Sequence, residues 1–209
     1  MASCRLTLED VFRIFAGWLV TSCLAFSCTA YGQVTYRDKT IHVHGLPSIT
    51  APSTHASDVL AASLEIVFND KDVCCGKNSA LETSVQASDP RSLKDIASRL
   101  QGRHLLSDGR AIMVTAEYLT PDQVSAGHLI YMLAANHAPL MLWNSHLYVV
   151  NGVSYAENFD ANGGVSYVTD TFFLWDTRFS DSRHEVSFDR KNEDPSKVQG
   201  LLFLQAAPQ

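Results

Sequence analysis

The sequence predicts an α+β fold in one domain, with N-terminal helices packed on an antiparallel sheet. Helix-period stripes come first, and strand-type runs crowd the second half, where the connections are short enough for hairpins. Neither an internal repeat nor a shift of composition divides the chain beyond residue 32.

In chain order, residues 40–44 alternate like a short strand, and 45–57, rich in Pro, Ser and Thr, reads as a loop. The run 64–68 (LEIVF) is an apolar burst closed by a turn signal at Asn69-Asp70. A helix is expected over 75–86, where Ala80, Leu81 and Val85 lie at helical spacing. A clearer helix is expected over 89–100: Asp89 caps it, Pro90 occupies the first turn, and Leu93, Ile96, Ala97 and Leu100 form a stripe. Ser107-Asp108-Gly109 then breaks the chain.

Residues 111–118 (AIMVTAEY) read as a strand, and 121–136 as an amphipathic helix with Leu129, Met132 and Leu133 on its apolar side. Strands are expected at 139–143 and 146–153. A polar loop at 156–164 leads into a long strand at 165–175, and 185–188 supplies a last short strand. The tail from Lys191 is polar until the apolar 201–204 and gives no clear signal.

With 209 residues, 46% hydrophobic and 18% charged, the chain can bury a real core. Its net charge is −6 and it has no basic stripe, which excludes nucleic acid as the expected partner.

Residues 1–32 read as a targeting segment. Arg5 and Arg13 precede an apolar stretch over 14–30, and Ala30-Tyr31-Gly32 offers a small-x-small cleavage site before Gln33. The stretch falls short of the ~20 apolar residues of a comfortable membrane span. Export with cleavage is therefore expected, to the periplasm or the exterior of a bacterial cell, with no stable membrane insertion afterwards. An uncleaved anchor helix is the alternative, and a lipoprotein processed at Cys23 is another. The apolar run continues past Cys23, which favours the later cut.

Cleavage after Gly32 removes Cys4, Cys23 and Cys28, and leaves Cys74 and Cys75 as neighbours. No disulfide framework can be built from them. A vicinal disulfide would hold their Cα atoms closer than the usual separation of roughly 4.4–6.8 Å. Cys75-Gly76, placed before the expected helix, has the layout of a nucleophile. Unpaired helix N–H groups and the helix dipole stabilise thiolate there, lowering its pKa below ~8.5. Lys77 adds positive charge. Cys74 is expected outside the helix, packing as a small hydrophobe.

A thiol nucleophile needs a base, and that base needs an orienting group. His146 opens an apolar strand (HLYVVNGV), where a cleft can reach its imidazole. Asp176 follows the strand 165–175 in "FFLWDTRF", with Asn144 and Asp181 as spare candidates for orientation. His42 and His44 can share one side of a strand, but no third metal ligand stands near them in sequence. His128 falls on the apolar side of its helix and reads as packing.

The stretch Cys75-Gly76-Lys77-Asn78-Ser79-Ala80-Leu81 resembles the Cys-Gly-x-x-Ser/Ala helix start of papain-like cysteine peptidases. The nearest pattern is the bacteriocin-leader-peptidase-like group. There a His opens an apolar strand like "HLYVVNGV", and an Asp or Asn closes the next, as in "LWDTRF". The resemblance spans about residues 65–190. It implies a papain-like cysteine peptidase fold, a Cys75–His146–Asp176 triad, a peptide or protein substrate, and no metal or organic cofactor. Where that group carries Gln six residues before the nucleophile, to help bind the oxyanion, this chain has Asn69. The interval from His146 to Asp176 is longer than usual. The same residue order also fits acyl transferases of transglutaminase or phytochelatin-synthase type. A binding module without turnover and a Cys74–Cys75 redox switch are the other readings.

Overall fold

A computed structural model describes residues 35–44, 56–68, 81–106, 109–178 and 185–209. Within these lie four α-helices, a single 3₁₀ turn (Pro195–Lys197) and eight strands: β1 (Thr35–His42), α1 (Ala56–Phe68), α2 (Glu82–Ala87), α3 (Leu93–Leu100), β2 (Gly102–Leu105), β3 (Ala111–Leu119), α4 (Ala126–Ala134), β4 (Leu140–Trp143), β5 (His146–Phe159), β6 (Val165–Trp175), β7 (Glu185–Asp189) and β8 (Val198–Pro208). The chain forms two compact units. One comprises Arg37–Glu157 with Tyr167–Gln209, and Asn158–Ser166 falls in the other.

The helices form for identifiable local reasons. Along α1, Val59, Leu60, Ser63, Leu64 and Val67 are buried, a spacing of three, four and one that makes one helical face. The burst at 64–68 is thus the inner side of a helix. In α3 the expected stripe of Leu93, Ile96, Ala97 and Leu100 is buried. The cap differs from expectation. Ser92 accepts a hydrogen bond from the Asp95 N–H (3.2 Å), while Asp95 Oδ2 reaches back to the Asp89 N–H (2.8 Å). The Ser92 cap starts the helix three residues beyond Pro90, and Asp95 ties the preceding Asp89 turn to it. For α4 likewise, Ser125 accepts from the His128 N–H (3.1 Å), and Thr120–Gln123 is a separate turn closed by the Gln123 side chain.

Strand order in the sheet is β2-β3-β8-β4-β5-β6-β7, with β1 paired to β5. The pairs β2/β3, β3/β8, β8/β4, β4/β5 and β6/β7 are antiparallel. The α+β expectation of helices on an antiparallel sheet therefore holds.

Four strands depart from the sequence reading: β1 starts at Thr35 and not at 40, β2 has no counterpart in it, and β8 and β5 differ more deeply. The polar-looking tail supplies β8, an interior strand between β3 and β4, whose residues Leu201–Leu204 are all buried. Successive strand side chains face opposite ways, so both faces of the sheet are covered at this point. Helices α1 and α3 pack on β8. On the face of Phe203 and Gln205 lies α4: His128 meets the Phe203 ring edge-on at 4.9 Å, and Gln205 Nε2 donates to Met132 Sδ (3.8 Å). Gly200 sits at a register shift between β8 and β4 with φ 151°, and an added Cβ would fall 2.5 Å from the Leu119 carbonyl oxygen. Only glycine fits such a bulge.

The second of the deeper departures is β5, which continues to Phe159 instead of ending before the polar 156–164. Tyr155, Ala156 and Glu157 are buried, and Lys39 of β1 donates to Glu157 Oε1 (2.8 Å). An opposite charge on β1 makes that burial tolerable. The loop proper is 160–164, where Asp160 Oδ1 accepts from the N–H groups of Asn162 and Gly164 (2.8 Å each).

Among the described residues no helix is long and apolar enough to cross a membrane. The expected targeting segment lies outside the described residues.

Candidate active site

The β4–β5 connection is a two-residue turn, Asn144-Ser145, with φ of 50° and 62°. Two successive left-handed residues make the tight hairpin turn whose twist matches the flanking strands. Asn144 is suited to that conformation, and its N–H donates to the Lys197 carbonyl (3.1 Å), tying the turn to the entry of β8. His146 is the next residue, paired across the hairpin with Trp143.

The imidazole of His146 is exposed, and its Nδ1 lies 2.9 Å from the Asn144 carbonyl oxygen. A carbonyl can only accept, so this contact places the ring proton on Nδ1 and leaves the Nε2 lone pair free to take a proton. The ring is therefore oriented by the main chain of its own turn.

Asp176 follows β6 directly. Its side chain is buried, and its carboxylate is occupied by Arg178: Oδ1 accepts from the Arg178 N–H (3.1 Å) and Nε (2.8 Å), and Oδ2 from Nη2. This is a two-pronged guanidinium–carboxylate pair. It raises the Arg178 pKa, chiefly through the hydrogen bond to Asp176. Tyr148 stands two residues after His146 on the same side of β5. Burial first, and then the Asp176 charge, push its phenol above the ordinary value, while Arg178 opposes them. No hydrogen bond joins His146 to Asp176 among the described residues.

Thr177 locks this strand end to α1. Its fully buried hydroxyl shares a 3.0 Å hydrogen bond with Ser63 Oγ, and Ser63 donates in turn to the Val59 carbonyl (2.8 Å). The anchored elements surround a cavity of about 290 Å³, lined by Val59 of α1, Arg91 of the α2–α3 link, Ser145, His146, Leu147 and Arg178. That is close to the smallest ligand pockets, ~300 Å³. His146 and Arg178 thus face one cleft, with Asp176 directly behind Arg178.

Cys74, Cys75, Asn69 and Asp181 lie outside the described residues. Of the other histidines, His42 stacks on Phe173 (4.8 Å between centroids), and the His44 main chain exchanges two hydrogen bonds with the Asn136 side chain. His128 Nε2 stands 3.4 Å from Glu117 Oε2, within ion-pair reach but without a hydrogen bond. Arg178, Tyr148 and Arg91 were not picked out by the sequence reading. For the first two a signal exists: His146-Leu147-Tyr148 puts two side chains on one side of β5, and Asp176-Thr177-Arg178 is a local turn in which the aspartate accepts from the arginine two residues on.

Comparison with known proteins found no matching family model, no significantly similar curated protein and no significantly similar solved structure.

Proposed function

We propose that this protein is an exported thiol hydrolase of papain-like, bacteriocin-leader-peptidase-like type, cleaving a peptide or amide bond. The observation that carries the reading is His146: its Nδ1–H is held by the Asn144 carbonyl, and the residue lines a cleft large enough for a substrate side chain. That is the tautomer a general base requires. In the proposed reaction His146 removes the proton of Cys75. The thiolate attacks the carbonyl carbon, and the tetrahedral oxyanion is bound by the Cys75 N–H and the Asn69 amide. Collapse expels the amine, which takes its proton from His146, and water then releases the acyl group. In this scheme the Asn144 carbonyl, and not Asp176, holds the imidazole tautomer, while Asp176 fixes Arg178 beside the cleft. The signal segment is removed after Gly32, and the mature protein acts outside the cytoplasm on peptide or protein, without metal or cofactor.

A fluorogenic peptide library tests the proposal. Wild-type protein is expected to cut a subset, Cys75→Ala and Cys75→Ser none, and Cys74→Ser the same subset with lowered melting temperature. Equal loss in the Cys74 and Cys75 variants at unchanged melting temperature would sink the single-nucleophile account.

One observation favours a second reading, a papain-like binding module without turnover. The Asp176 carboxylate is committed to Arg178, and the family's glutamine position holds Asn69. Iodoacetamide at mildly acidic pH separates the two. A thiolate–imidazolium pair labels rapidly at Cys75, whereas an inert site labels at neither cysteine.

A further inference from the structure

We infer that the cleft beside His146 is a subsite for a carboxylate of the substrate, adjacent to the bond that is cut. This deepens the hydrolase reading and rests on it for the role of His146.

The charge distribution carries the argument. The chain as a whole is acidic, at −6. Yet among the described residues the cavity is lined by two arginines and a histidine, and by no aspartate or glutamate. Within two residues of these arginines stand two carboxylates, and neither pairs with the Arg91 guanidinium. Asp176 is buried behind Arg178 and balances that one guanidinium. Asp89 turns Oδ1 to the main-chain N–H of Arg91 (2.9 Å) and not to its guanidinium, which has no ion pair among the described residues. Asp95, further along, is engaged by Arg99 and by the Asp89 N–H. Among the described residues the cleft therefore keeps the charge of Arg91 unpaired, with the Arg178–Asp176 pair forming a dipole whose guanidinium end lines the cleft.

The non-ionic walls fit the same ligand. Val59 and Leu147 supply apolar surface for the methylenes of a short acidic side chain. At about 290 Å³ the cleft holds one such residue, not an extended stretch of peptide. A guanidinium binds carboxylate through paired N–H donors, a geometry that a neutral amide cannot match. A Lys or Arg side chain at this position would meet like charge.

Two sources of carboxylate share this chemistry: an internal Asp or Glu side chain, and the C-terminus of a peptide. Internally quenched peptides identical except for Glu, Gln or Lys beside the scissile bond, each with a free or amidated C-terminus, distinguish them. Glu peptides are expected to exceed Gln peptides by about tenfold in kcat/KM, mainly through KM. Glu preference in the amidated set assigns the side chain; preference only for free ends assigns the terminus. Arg91→Gln is expected to bring the Glu/Gln ratio near one, and Arg91→Glu to favour the Lys peptide. Binding of the same uncleaved peptides to Cys75→Ala protein, read by His146 ring resonances, separates this inference from the hydrolase reading. Glu-selective binding without turnover of any peptide by the wild type would retain the carboxylate subsite and remove the hydrolase. Equal binding of Glu, Gln and Lys peptides would overturn the subsite even if peptides are cut.

Discussion

The start of β5 and the end of β6 each present an ionisable side chain to one region, but they hold it by opposite means. His146 lies in the open, positioned by a single carbonyl of its own turn, with one nitrogen left free. Asp176 is 5% exposed, and both its oxygens are spent on Arg178. The first arrangement suits a group that must exchange a proton with a ligand. The second suits a group that must hold a neighbour in place. The family pattern gives the two residues joint roles; the geometry separates them into a reactive end and an anchoring end.

Substitutions can break or sharpen that contrast. The largest effect is expected at the reactive end. His146→Ala should lower kcat by about 10²-fold or more, the usual worth of a positioned base. Its melting temperature should barely move, because exposed side chains away from special contacts are worth within ~0.5 kcal/mol. A large loss of stability with intact turnover would reverse the assignment of the two ends.

Asp176→Asn should do the opposite. Removing one partner of a largely buried pair leaves a guanidinium without its counter-charge, at a cost of about 3 kcal/mol. Adding Arg178→Gln should restore part of this, and denaturant titration of the double-mutant cycle measures the coupling. If Asp176→Asn is as stable as wild type but inactive, the carboxylate serves His146 directly.

Ser63→Ala is smaller, about 1 kcal/mol, since Thr177 keeps the Val59 carbonyl as an acceptor at 3.3 Å. It asks whether docking of α1 sets the cleft. A rise in KM larger than the stability loss explains would show that it does.

The smallest effect is a pH dependence. The Tyr148 phenol is raised in the folded chain by burial and by Asp176, so the folded state holds its proton more tightly. The resulting stabilisation is complete below the unfolded value of ~10 and is lost as pH rises through the higher folded one. Tyr148→Phe should flatten that alkaline loss, measured as the unfolding midpoint from pH 9 to 11. An unchanged profile would remove Tyr148 from the anchoring end.

The sequence made the long, periodic elements legible. The stripe of α3 stands where its pattern places it, because it buries one regular face, and β6 keeps its expected bounds although only Thr169, Phe172 and Leu174 are buried along it. It hid β8, since a run buried on both faces has no alternation and its flanks are polar. It also hid the helical nature of 64–68, where an apolar run alone cannot tell a strand from the inner side of a helix. In the site, His146 was legible as a strand opener beside a turn. The partner of Asp176 was not singled out, although Arg178 stands two residues away, because the family pattern directed attention to the histidine. Arg91 was illegible: it reaches the cleft through a link whose path depends on the packing of α2 and α3.

The place of β8 bears on the order in which this molecule can be assembled. The strand that joins β2–β3 to β4–β7 follows all the others along the chain. Until it emerges, β3 and β4 each expose an unpaired edge, the kind of surface that recruits other chains. A ribosome-bound intermediate stopped before Val198 should therefore be open to protease, and folding should be completed only after synthesis has passed Pro208. Under the proposed export this delay would be an advantage, because a polypeptide that cannot close its sheet early remains threadable.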